Sequence, residues 1–299
     1  MLKTTLKLCA VLGALIFLFS CSSETAEEAK TVQSDYLNKF ISYPIDMEAP
    51  KRKFSELIEK VRVVRVEETE ESLIGNLYNL KEHEGLITYP NTGDGLLYQF
   101  DKEGNYLGRL DRSGDGPEEY KDIYGHWIKG DTLKIFSNAN SKVLSYSLEG
   151  DFLKSETLPF PANQVLENED GYWLDFSYRP RGDTTNYEVI HLNDQMKSPR
   201  FYRPFEKTMG FPILTTVNPF QEVGNKLLYK KTLGDTIFQV KEDTIAPIFK
   251  FDFGNELLWA DEEMRNNSQR AMSALGEAGK VWIINAIVGE RFIYFNYNT

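Results

Sequence analysis

The sequence predicts an all-β fold, a β-propeller built from four-stranded blades. Three observations carry that expectation. The first is a handover at Phe100–Tyr120: an apolar strand ends in Phe100-Asp101, turns at Glu103-Gly104-Asn105 and returns as Tyr106–Leu110. A glycine-rich crossing, Gly114-Asp115-Gly116-Pro117, then leads into a fresh strand. The second is repetition: Glu103-Gly104-Asn105-Tyr106-Leu107 returns as Glu149-Gly150-Asp151-Phe152-Leu153, an offset of 46 residues (149 − 103). A period of about 40–50 residues with four short strands each is propeller-like. The third is strand patterning of period two, as in Leu133-Lys134-Ile135-Phe136 and Phe249–Phe253.

The elements follow in order. Lys3 and Lys7 precede an apolar run, Leu8–Phe19, of signal-peptide length. It ends in Leu18-Phe19-Ser20-Cys21, which looks like a bacterial lipobox. Residues 1–20 are therefore expected to be a lipoprotein signal peptide, with Cys21 the lipidated residue. Two or more acyl chains anchor stably where one does not. Residues 21–40 read as a polar tether. Ser22 after the cysteine and the acidic Glu24, Glu27 and Glu28 point to the outer membrane, facing the periplasm or the cell surface. Cys9 would leave with the signal peptide, so the mature fold would hold no disulfide or thiolate metal site.

The propeller is expected over 41–299. Phe54–Lys60 reads as a helical turn or two, and Val61–Val66 as a strand. Repeats parse over Ile74–Leu110, Ile123–Leu158, about 164–202 and about 213–253. Weaker echoes of the repeated turn stand at Asn193-Asp194-Gln195 and Lys241-Glu242-Asp243. Residues 256–278 break the rhythm and predict a short helical insertion. Val281–Ile287 and Arg291–Asn296 begin a fifth repeat.

At this point the chain resembles a known family, the six-bladed β-propeller lipoproteins of Bacteroides-type bacteria, related in shape to NHL-repeat propellers. The resemblance rests on Glu67–Gly75, on Phe100–Gly104 followed by Gly114–Tyr120, and on Gly234–Phe238 with Phe251–Gly254, in the family's order. It covers Lys53 to the C-terminus. It implies a six-bladed type, here incomplete toward the C-terminus; the alternative is five blades, closed by the N-terminal strands Ile41–Asp46 and Val61–Val66. It also implies a binding-type domain at the envelope.

Composition narrows the partners. With 34 basic and 45 acidic residues the net charge is −11, and no basic run stands out in the mature part, so a nucleic-acid partner is not expected. No nucleophile elbow, phosphate loop or dinucleotide fingerprint occurs. The crossing supplies the ligand-binding candidates Arg112, Asp115, Glu118, Glu119 and Tyr120, because crossing loops converge near the channel mouth. The alternative is that Glu118 and Tyr120 only lock blade to blade. His126 and Trp127 on the next inner strand join them, either facing the channel or packing between blades; Tyr172-Trp173 invites the same two readings. No catalytic residue is assigned and no cofactor is expected. Calcium stays open, because some six-bladed propellers are calcium-dependent lactonases or esterases and Asn76, Asn138, Asn163, Asn168 and Asn218 are scattered through the repeats. The expected function is a non-enzymatic binding module for a glycan, peptide or surface-complex protein, anchored to lipid through Cys21. The alternative is a calcium-dependent hydrolase with its site in the channel.

Overall fold

The computed structural model describes residues 39–50, 53–56, 58, 60–75, 79–91, 93–176, 186–205, 218–275 and 279–299. The expected signal peptide, Cys21 and nearly all of the expected tether lie outside them, as does Asn76.

Strand β1 (Ile41–Pro44) comes first, followed by a single 3₁₀ turn at Phe54–Glu56. The first blade comprises β2 (Lys81–His83), β3 (Leu86–Asn91), β4 (Leu96–Phe100) and β5 (Tyr106–Asp111). The second comprises β6 (Gly125–Lys129), β7 (Thr132–Ser137), β8 (Lys142–Ser147) and β9 (Phe152–Thr157). The third comprises β10 (Gln164–Asn168), β11 (Gly171–Asp175), β12 (Asn186–Leu192) and β13 (Arg200–Phe205). The fourth comprises β14 (Phe220–Val223), β15 (Lys226–Lys230), β16 (Thr236–Lys241) and β17 (Thr244–Asp252). A two-stranded sheet, β18 (Ile283–Val288) with β19 (Ile293–Asn298), follows. Within each blade, sequential strands pair antiparallel.

The repeated turn is the same object each time. In the first blade Gly104 N–H donates to the Asp101 carbonyl at 3.0 Å, and in the second Gly150 N–H donates to that of Ser147 at 3.0 Å. Both glycines sit at φ near +90°, where a side chain is strained. In the third blade Met196, at φ +55°, makes the equivalent bond to Asn193. The Asp101 carboxylate and the Asn193 amide oxygen close their turns by accepting backbone N–H groups on the following residues.

Four full blades are present among the described residues, which corrects the expected six and the alternative five. The correction is one of pairing. β1 lies parallel to β17, Ile41 opposite Phe249 and Pro44 opposite Asp252, so it is a fifth strand on the fourth blade. Val61–Val66 alternates as expected, with Val64 and Val66 against the first blade and Val61 and Val63 exposed, but it joins no sheet.

The core lies between blades rather than in one centre. Leu97 and Leu110 of the first blade pack with Leu133, Leu144 and Tyr146 of the second. Phe136 and Val143 meet Tyr172, Leu174 and Ile190, and Trp173, Val189 and Tyr202 meet Phe220 and Tyr229. Phe249 and Phe251 pack on the β18–β19 sheet and on helices α1 (Glu262–Asn266) and α2 (Ser268–Ala274), which form the expected insertion. Asn267 of the Asn266-Asn267-Ser268 triplet caps α2, accepting from Arg270 N–H at 3.0 Å.

This topology gives the propeller two faces. Each inner strand starts at a blade crossing and ends at its own hairpin turn. The crossings and the second-to-third strand turns therefore lie on one face, and the other two turns of each blade lie on the opposite one. A five-residue inner strand separates the two faces by about 15 Å.

Candidate functional site

The crossing Arg112–Tyr120 is folded on itself. Gly114 N–H donates to the Tyr120 carbonyl and Tyr120 N–H to that of Arg112, each at 3.0 Å. Tyr120 is fully buried, and its hydroxyl donates to the Gly95 carbonyl at 2.8 Å. Burial pushes that phenol up to about 12. The Glu119 carboxylate accepts from Gly116 N–H at 2.8 Å, and the Glu118 carbonyl accepts from the Tyr146 hydroxyl at 2.9 Å. Asp115 pairs with Lys121 at 2.6 Å on the surface, and Arg112 reaches the Gly150 carbonyl at 3.3 Å. The glycines allow Glu119 to fold under the loop: a Cβ on Gly114 would stand 2.0 Å from its carboxylate.

His126 is fully buried at the joint of the first and second blades, with Nε2 2.9 Å from the Thr88 hydroxyl. Its backbone carbonyl accepts from Lys81 at 2.6 Å. Burial first, and the Lys81 charge second, pull the imidazole down to about 3. Burial likewise brings the Lys81 amine down to about 8.

Trp127 lies toward the other face. There the turns of the second, third and fourth blades enclose a cavity of about 900 Å³. Trp127 and Trp173 line it, together with Glu167, Asp170, Arg200 and Lys241. The Glu167 carboxylate accepts from the Trp127 indole at 3.0 Å, from Lys129 at 3.0 Å and from Lys134 at 2.5 Å. Burial pushes this carboxyl up, but the bonds from Lys134, Lys129 and Trp127 outweigh it and hold the group below its ordinary range. Arg200 also lines the cavity, and its Nε and Nη2 lie 3.4 and 3.2 Å from His191 Nδ1. His191 Nε2 faces the Asp170 carbonyl at 3.0 Å, which fixes the proton on Nε2 and leaves Nδ1 to accept. Burial holds that imidazole below its ordinary value.

The cavity thus joins Trp127 and Trp173, both singled out in the sequence, to Glu167 and Arg200, which were not, and to Lys241 and Glu242, which the sequence marked only as a turn. It does not contain the crossing residues or His126. Among the described residues no group of three or more His, Cys, Asp or Glu side chains is placed to hold a metal.

The model of a family described as a domain of unknown function, DUF4934, matches residues 41–299. The chain belongs to that family. A solved structure of a protein from Bacteroides fragilis NCTC 9343, described as exported, superposes on this DUF4934 chain with a TM-score of 0.70 at 18% identity. The match covers 87% of this chain and 74% of that one, and it supports the propeller fold. A DUF4221 family member from Bacteroides vulgatus ATCC 8482 gives a TM-score of 0.41 at 12% identity, over 62% of this chain and 60% of that one. The β-propeller domain of Cps50 (Swd1) from Myceliophteria thermophila gives 0.41 at 12%, over 75% and 64%. No curated protein matches.

Proposed function

We propose that this chain is a lipid-anchored propeller of the bacterial envelope that binds a ligand without transforming it. The observation that carries the reading is the cavity between the second, third and fourth blades. Its volume falls within the range usual for ligand sites, and three different blades supply its walls. Fixed polar groups point from those walls, as binding sites require. The crossing, by contrast, directs its buried polar groups inward, at its own backbone and at the neighbouring blade.

The envelope address rests on Cys21 and on the exported relative. Cys21→Ser should move the protein from the membrane to the soluble fraction and abolish palmitate labelling. A variant that stays bound and labelled contradicts the anchor.

The site is tested separately. Asn225 is exposed on the cavity wall, so Asn225→Trp should fill the mouth and leave the fold intact. A ligand that binds only the folded state raises the unfolding temperature. Sugars and peptides that stabilise the wild type should fail to stabilise this variant. Equal stabilisation of both would place the ligand elsewhere.

A further inference from the structure

Arg200 is held in an uncommon way. Two of its nitrogens bond the neutral imidazole of His191, and Nη1 donates to the Glu242 carbonyl at 3.3 Å. His191 is itself fixed, by the Asp170 carbonyl at 3.0 Å and by the Trp173 ring, whose centroid lies 4.3 Å away. None of these partners carries charge. Among the described residues no carboxylate lies within ion-pair distance of Arg200, and none lies so close to Lys241 beside it. A guanidinium oriented by neutral groups and exposed on a cavity wall is a preformed fork for a carboxylate.

The remaining lining indicates what carries that carboxylate. The indole N–H of Trp127 is taken by Glu167, so what Trp127 offers the cavity is its ring. Asn168, Asn225, Glu222 and Asp170 present amides and carboxylates that suit hydroxyl groups. A peptide acid would call for apolar sockets for its side chains, whereas this wall is mostly charged and amide.

Resting on the reading that the ligand sits in this cavity, we infer that it binds an acidic oligosaccharide, with a uronate carboxylate docked on Arg200 and the sugar hydroxyls on the carboxylates and amides of the cavity lining.

The test uses a galacturonate trimer, its fully methyl-esterified counterpart and an alginate trimer, titrated into protein with ¹⁵N-labelled tryptophan. The acid should bind at least about tenfold tighter than the ester, as expected for loss of a charge-assisted bidentate pair. It should shift the indole resonances of Trp127 and Trp173. Arg200→Gln should bring the acid down to the ester's affinity, while Arg200→Lys keeps part of the difference. Denaturation of both variants reports whether the fold survives. Equal binding of acid and ester, wild-type binding by Arg200→Gln, or no binding of any uronate overturns the inference. If a peptide shifts the Trp127 and Trp173 signals instead, the glycan assignment is wrong and the cavity reading stands. If ligands shift only Trp259 and Trp282, the cavity reading itself fails.

Discussion

Glu167 on the third blade and Lys134 on the second face each other at 2.5 Å, both side chains almost wholly buried. Lys134 also reaches the Tyr172 hydroxyl at 3.3 Å, so the pair belongs to a small network across the blade joint. Removing one partner of such a pair strands the other charge at a cost of about 3–5 kcal/mol, whereas apolar replacement of both can be close to neutral. Glu167→Ala should therefore destabilise by about 3 kcal/mol, and the double variant Glu167→Leu with Lys134→Met should recover most of it. Urea denaturation checks both. A single variant within 1 kcal/mol of wild type, by the same estimate, would show that the pair is not buried as described.

His126 makes stability depend on pH. Its folded value of about 3 lies below the 6.5 of an ordinary imidazole, because burial disfavours the charged form. Between those values the unfolded chain binds the extra proton. The stability associated with neutral His126 is thus complete above about 6.5 and is lost as pH falls through the window, with a limiting slope of about 1.4 kcal/mol per pH unit. His126→Gln should remove that component of the slope. Urea titrations across the window measure it, and an unchanged slope would mean that His126 protonates freely in the fold.

The crossing separates a buried anchor from an exposed arm. Tyr120→Phe deletes the bond to the Gly95 carbonyl in a buried place and should cost about 1–2 kcal/mol. Arg112→Ala removes only an exposed contact and should cost less than about 0.5 kcal/mol. Reversal of that order in equilibrium unfolding would contradict the description of this loop.

Gly171 shows how the backbone positions the cavity. It stands at φ +123°, and a Cβ there would lie 2.2 Å from the Leu192 carbonyl oxygen. It follows Asp170, whose carbonyl fixes His191. Gly171→Ala should destabilise by more than about 2 kcal/mol and loosen Arg200. Gly130→Ala, in open space at φ +57°, should cost only about 1 kcal/mol. Thermal unfolding of the two variants ranks them directly.

Much of this was legible along the chain. Gly104 and Gly150 mark the repeated turn because a left-handed residue is needed there, and the strands from Leu86 to Val288 stand close to where alternation put them. The place of Ile41–Pro44 was not, since its parallel pairing with Phe249–Asp252 joins residues more than 200 positions apart without a turn to announce it. The glycines of Gly114–Gly116 drew attention to the crossing, yet they serve to fold Glu119 beneath the loop. Trp127 and Trp173 stood out as large rings on inner and second strands. Arg200 carried no signal, being an ordinary residue at the start of a strand, and Glu242 showed only as part of a turn echo until two blades brought the pair together.

Hydrogen exchange of the full chain, with and without the galacturonate trimer, tests the central claim most directly. The account predicts added protection at 167–171, 189–192, 222–227 and 240–242, the segments around the cavity, and none at 112–120. Protection confined to 112–120 would put the ligand on the opposite face and contradict it.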